Sequence, residues 1–176
     1  MSETGRHTFC TTPRASATAA ALVVTMALLA GCASPPQPVP IRSIPHGASP
    51  EAMRATVVET ARSMLGARYR YGGSTPEEGF DCSGLVVYSY GRAGVRGLPR
   101  SASALERQAT PVSLDALQPG DLLFFRLRGA KTSHVAIYDS DRRFIHAPSS
   151  GKRVERVGFD HVYWGSRISR AGRLLP

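Results

Sequence analysis

GFDCSGLVVYSYGRAG, residues 79–94, is the stretch on which the reading of the fold turns. Leu85, Val86 and Tyr90 recur at helical spacing, which predicts a helix over Cys82–Arg92 with one face turned inward. Gly91 and Gly94 end it. A glycine-rich loop precedes it, and Asp81 is of a residue type that caps helices. Cys82 therefore stands at a helix N-terminus. There the positive end of the macrodipole and unpaired N–H groups lower a thiol's pKa and enrich the thiolate, the reactive form. The same N–H groups are placed to hold a developing oxyanion. A buried cysteine is also a common core residue, and the position taken alone fits that plainer role as well.

Upstream, Ser49 suits a helix cap, Pro50 its first turn and Glu51 its positive end. Met53, Val57, Val58, Ala61 and Leu65 then form one apolar face, with Gly66 as the stop. Residues Ala67–Gly79, rich in Gly, Tyr and Pro, read as an ordered loop. Downstream, Ser103–Ala109 reads as a short third helix. The second half is β-rich: Asp121–Arg126 after a Pro-Gly turn, His134–Tyr138, Phe144–Ala147, and the alternating Lys152–Val157. Helices first and antiparallel strands after predict an α+β domain, with the helices packed on the sheet.

A thiol nucleophile needs a base within hydrogen-bond reach, and histidine titrates near neutrality. His134 and His146 lie on either side of a polar turn, Asp139–Arg143. If that turn has five residues, Tyr138 lies opposite Phe144, and Ala136 opposite His146. Side chains alternate along a strand, so His134, Ala136 and His146 share one face and the two histidines are diagonal neighbours. His146 then hydrogen-bonds one ring nitrogen of His134 and fixes its tautomer, leaving the other nitrogen for the thiol. Cys82, His134 and His146 also compose a conceivable zinc set, but their spacing is atypical and no fourth ligand stands out. No metal or cofactor is expected. His46 and His161 read as packed or surface residues.

Residues 1–31 read as a targeting segment. Arg6, His7 and Arg14 give a positive start, and Ala15–Ala30 is an almost uniform apolar run of the length of a signal h-region. It ends in Leu29-Ala30-Gly31-Cys32, which resembles the lipobox of bacterial lipoprotein signals. That resemblance implies cleavage before Cys32, loss of Cys10 with the leader, and a diacylglyceryl group on the Cys32 thiol. An uncleaved anchor helix is the other reading. Ala33, where aspartate would favour inner-membrane retention, implies the outer membrane of a Gram-negative host, with the domain facing the periplasm. Several acyl chains anchor a protein stably, since each buried methylene contributes roughly 0.8 kcal/mol. Residues 32–48 are then the lipidated cysteine and a proline-rich, semi-extended tether.

With both ends set aside, a chain of 176 residues leaves room for one domain, residues 49–176, and a hydrophobic content of 42% is enough for one core. The net charge of +9 favours anionic partners, lipid headgroups or a polyanionic wall among them. The strong excess of arginine over lysine reads equally well as compositional. No run of five like charges and no aromatic–basic interleaving occurs, so no nucleic-acid partner is expected.

The chain resembles the NlpC/P60 family of papain-like cysteine peptidases, and within it the single-domain murein endopeptidase lipoproteins of the Spr type. The matching segments, in the family's order, are LGARYRYGG (65–73), GFDCSGL (79–85), LPRS (98–101), LQPGDLLFF (117–125), SHVAIY (133–138), FIHAP (144–148) and Tyr163-Trp164. The resemblance implies a papain-like catalytic domain over residues 49–176 that hydrolyses peptidoglycan stem peptides or cross-links at meso-diaminopimelate. It implies Cys82 as nucleophile, His134 as base and His146 as the third, polar residue. Tyr69 would assist the oxyanion beside the Cys82 N–H. Asp81 and Ser83 would help hold the substrate's amine, although Asp81 reads equally well as the helix cap. Arg100 and Ser101 would line the cleft, while Asp121 reads as a structural turn residue. Two features depart from the family's pattern: Ala136 stands where glycine is commoner, and the SH3-like targeting module of many relatives is missing. The competing expectations are an inactive wall-binding lipoprotein and an amidase or acyltransferase on the same scaffold.

Overall fold

The Ser49 side chain accepts a hydrogen bond from the Ala52 N–H (3.2 Å), Pro50 fills the first turn, and helix α1 runs over Pro50–Ser63. The structure, a computed structural model, describes residues 47–127 and 129–176. The expectations for the leader, Cys10, Cys32, His46 and most of the tether lie outside the described residues. Val57, Val58 and Ala61 of α1 are buried as their spacing predicts. Leu65 is exposed instead, because Met64 already caps the helix before Gly66 turns the chain at φ 84°.

Helix α2 spans Cys82–Arg92, the predicted range, with Leu85, Val86 and Tyr90 buried. The Ser101 side chain accepts from the Ala104 N–H (3.3 Å) and starts α3, Ala102–Gln108. The loop between α1 and α2 is ordered, as expected. It carries a short antiparallel ladder, β1 (Ser74–Thr75) with β2 (Gly79–Phe80).

Six further strands form one antiparallel sheet: β3 (Thr110–Val112), β4 (Leu122–Phe125), β5 (His134–Ser140), β6 (Arg143–His146), β7 (Glu155–Gly158) and β8 (Ile168–Arg173). Their order is β3-β8-β4-β5-β6-β7. Sequence patterning anticipated β4 to β7 but neither β3 nor β8. The β8 segment, Ile-Ser-Arg-Ala-Gly-Arg, lacks a run of apolar residues, yet it lies inside the sheet between β3 and β4. Its pairing is set by its neighbours rather than by its own propensity.

Alternation along the strands divides the core in two. Leu122, Phe124, Val135, Ile137 and Ile145 face the helices and pack with Val57, Leu85, Val86, Tyr90 and Leu105. Leu123, Phe125, Ala136 and Phe144 face the other way and pack under Trp164. A buried ion pair ties the sheet together: Asp121 binds Arg173 of β8 through both carboxylate oxygens (2.8 Å each) and also accepts from the Gln118 N–H. This matches the structural role expected of Asp121.

In the β5–β6 hairpin, Tyr138 pairs with Phe144, the expected register. The five-residue turn is not observed. The chain reverses over Asp141 and Arg142 alone, both at positive φ (50° and 54°), as a tight two-residue hairpin loop requires. The spare residue is Asp139, a bulge in β5. Its carboxylate is fully buried and binds Arg62 of α1 (2.6 Å) and Arg156 of β7, pinning the first helix to the sheet.

Candidate active site

Asp81 sets the start of α2. Its Oδ1 accepts from the Gly84 N–H (2.6 Å) and the Ser83 hydroxyl (2.9 Å), and its Oδ2 from the Gly72 N–H (2.9 Å). Arg100 reaches the same carboxylate (3.3 Å) and the carbonyl oxygens of Gly72 and Gly73 (3.0 and 3.3 Å). The loop before the helix is thereby folded over its first turn. This close approach needs Gly84: a Cβ there would run into Gly73 O and the Arg100 guanidinium. Of the residues expected to hold substrate, Asp81 is seen capping the helix, and Ser83 is buried and bonded to Asp81. Arg100 and Ser101 act on the loop and on α3.

Tyr69 is fixed by its own backbone, whose N–H donates to Lys152 O (2.9 Å) and which bridges Phe80. Its ring packs beside Cys82 against the helix-side core. Burial, with the nearby Cys82 and Asp81, raises its pKa, so the hydroxyl stays protonated and able to donate at neutral pH.

Cys82 is part-buried where the first turn of α2 meets the start of β5. The thiol lies near the backbone N–H groups of Val135, Ser83 and Cys82 itself, each of which favours the thiolate. Burial opposes them and is the larger effect, and the Asp81 carboxylate adds to it, so the thiol pKa is raised. This corrects the expectation of a lowered value. Helix-end N–H groups are present, but the same packing that aims them at sulfur also removes water from it.

His134 opens β5 and His146 closes β6, on the sheet face away from α1 and α2. The His134 Nε2 and His146 Nδ1 atoms are 2.8 Å apart, the contact expected from the hairpin register. That bond occupies Nε2 and leaves Nδ1 of His134 open. Among the described residues, the hydrogen bonds include none from Cys82 Sγ to His134. Burial pushes the His134 pKa down to about 4 and lowers that of His146 as well. At neutral pH the thiol and both imidazoles are therefore uncharged in the resting protein.

Two residues of the site had no role assigned from sequence. The Trp164 ring lies 4.4 Å from His146 and 5.0 Å from His134, centroid to centroid, and shields the pair from water. Glu155, on β7 directly opposite His146, places Oε1 3.2 Å from His146 Nε2. In the sequence Trp164 stands out only as part of a motif, and Glu155 only as part of an alternating strand. His161 serves the loop, its Nδ1 accepting from the Tyr163 and Trp164 N–H groups (3.2 and 3.4 Å). No group of three His, Cys, Asp or Glu among the described residues is arranged to hold a metal ion.

A thiol at a helix N-terminus beside a histidine pair on an antiparallel sheet agrees with comparisons to known proteins. A sequence model described as the NlpC/P60 family matches residues 66–173. The chain belongs to the NlpC/P60 family. It is similar to murein DD-endopeptidase MepH of Escherichia coli K12, at 34% identity over 74% of this chain and 49% of that protein. It is also similar to the probable endopeptidase NlpC of the same strain, at 36% identity over 87% of this chain and 97% of that one. The chain thus spans about half the length of MepH and nearly all of NlpC. The crystal structure of an NlpC/P60 family protein from Bacillus cereus ATCC 10987 superposes with a TM-score of 0.65 at 30% identity, over 70% of this chain and 40% of that one. The α+β architecture is that of an NlpC/P60 domain, with Cys82 at its helix N-terminus.

Proposed function

We propose that this NlpC/P60 protein is a cysteine endopeptidase that hydrolyses peptide bonds in peptidoglycan. The observation that carries the reading is the placing of the Cys82 thiol, with Tyr69 close by, at the Val135 N–H, next along β5 to His134, whose Nε2 is bonded to His146. The relatives' names, a murein DD-endopeptidase and a probable endopeptidase, support the substrate class.

The chemistry starts from neutral groups. Cys82 Sγ attacks the carbonyl carbon of the scissile amide as its proton passes to Nδ1 of His134. The oxyanion takes hydrogen bonds from the Cys82 N–H and the Tyr69 hydroxyl. The imidazolium, steadied by His146, returns the proton to the leaving amine, the C–N bond breaks, and a thioester remains. His134 then takes a proton from water as that water attacks, and the acid and free thiol are released. The low pKa of His134 makes its imidazolium a strong acid toward the departing amine. The bond would involve meso-diaminopimelate, in a D-alanyl cross-link or after γ-D-glutamate. In this reading the Asp81 carboxylate, which caps α2, and the Ser83 hydroxyl bonded to it would help hold the substrate's amine.

The lipoprotein reading of residues 1–48 belongs to the same proposal. Cys32 would be acylated and hold the domain at the outer membrane, facing the periplasm, and the lipobox-like Leu29–Cys32 supports this. Digestion of purified sacculi, with muropeptides identified by mass spectrometry, tests the hydrolase. Wild-type protein should release products that Cys82→Ala does not. Identical products from both would overturn the mechanism. Labelled palmitate should enter the wild-type protein and not Cys32→Ser.

A further inference from the structure

His146 has two ring nitrogens, and both are engaged: Nδ1 with His134 Nε2 at 2.8 Å and Nε2 with Glu155 Oε1 at 3.2 Å. A neutral imidazole carries one N–H, so the His–His bond can be arranged in two ways. In one, His146 donates from Nδ1, His134 Nε2 accepts, and the His134 proton sits on Nδ1. His134 is then blocked as a base. In the other, His134 donates from Nε2, His146 Nδ1 accepts, and His134 Nδ1 is free to take the thiol proton. An ionised carboxylate only accepts, so Glu155 selects the second arrangement by requiring the proton of His146 on Nε2.

We propose that Glu155 is a positioning residue: through His146 it sets the tautomer of His134 and keeps Nδ1 available to Cys82. The inference rests on the hydrolase reading for its effect on rate, but not for its effect on the histidines. Nothing else among the described residues accounts for Glu155. Its flanking cations are committed elsewhere, Arg153 to Gly66 O and Arg156 to Asp139. Its ion-pair contact is with His146, which is fully buried while the carboxylate is 46% exposed. Strand pairing places the two residues opposite each other. The other groups around His146 are the Trp164 and Phe144 rings, His134, and His161 on the loop after β7. None of these offers Nε2 an anionic acceptor.

The test is heteronuclear NMR of histidine-labelled protein at pH 7, together with muropeptide kinetics, for wild type, Glu155→Gln and Glu155→Ala. Wild type should show His134 and His146 both protonated at Nε2. Glu155→Ala should convert part of the population to the Nδ1 tautomers and lower kcat about tenfold to a hundredfold, the range for loss of a hydrogen bond to a charged group. KM should hardly move. Glu155→Gln, whose amide oxygen still accepts, should keep the tautomers and most of kcat. Its acid limb should move to lower pH, because the negative charge that steadied the protonated pair is gone. Wild-type histidines carrying protons on Nδ1, or a Glu155→Ala protein with unchanged tautomers and kcat, would overturn the proposal. Should Glu155→Ala not fold, the acid-limb shift of Glu155→Gln decides, and an unmoved limb refutes it. The NMR arm needs no substrate. Inert protein with the expected tautomers would therefore count against the hydrolase reading and not against the role of Glu155 in setting them.

Discussion

Mild acidification should weaken this fold. His134 and His146 are buried against Phe125, Phe144 and Trp164 with little room for a charge, and burial holds both pKa values below the ordinary 6.5. A histidine with a depressed folded pKa binds protons more readily in the unfolded chain. Its contribution to stability is complete above the unfolded pKa and is lost as pH falls below it, down to the folded pKa. For His134 that window runs from 6.5 to about 4, and for His146 it extends further. Near pH 5.5 the two histidines together give a slope of about 2 kcal/mol per pH unit, and the loss between pH 7 and 5 is about 3–4 kcal/mol. That is a large share of the ~5–15 kcal/mol that stabilises a typical domain. Urea denaturation of the described domain at half-unit pH steps would read the slope directly. His146→Asn, compared with wild type over the same range, should remove about half of it. Equal slopes for the two proteins, or stability flat from pH 7 to 5, would show that these rings titrate normally and that the packing argument is wrong.

Because burial raises the Cys82 thiol, alkylation by iodoacetamide should accelerate through pH 9 and above, and a plateau reached below pH 7 would mean a preformed thiolate–imidazolium pair. Arg173→Met leaves the Asp121 carboxylate buried without its counter-ion and should cost about 3–5 kcal/mol in denaturant unfolding. A loss under 1 kcal/mol would show the pair to be ornamental. The Ser89 hydroxyl is buried in α2 with no hydrogen-bond partner among the described residues, so Ser89→Ala should be neutral or stabilising by up to about 1 kcal/mol, and a clear loss of melting temperature would reveal a missed partner.

What could be read from the sequence was what depends on short-range pattern. The α2 boundaries, the Ser49 cap and the Tyr138–Phe144 pairing all follow from local periodicity and residue type. The hairpin loop is shorter than the sequence predicts and the predicted register still holds, because Asp139 bulges out of the ladder and restores the count. Strand β8 was illegible, since Ile168–Arg173 becomes a strand only by fitting between two others. Glu155 was hidden for a related reason: the connection from His146 crosses eight residues of irregular chain, so no turn rule fixes what lies opposite it. The thiol's environment is not legible in the sequence, because a helix end favours the thiolate while the packing that buries it opposes it. That loss of water exists only once β5 and Tyr69 are packed around Cys82.

The sheet order has a consequence for how the protein is made. Among the described residues, β8 follows every other strand in sequence, yet it is hydrogen-bonded on both sides, to β3 and β4. A nascent chain that has emerged only as far as Trp164 therefore has a gap in the middle of its sheet, with two open backbone ladders facing it. Such an intermediate invites intermolecular pairing and holds no finished cleft. Residues 168–173 act as a closing wedge, and cleavage competence should arrive only when that wedge is in place.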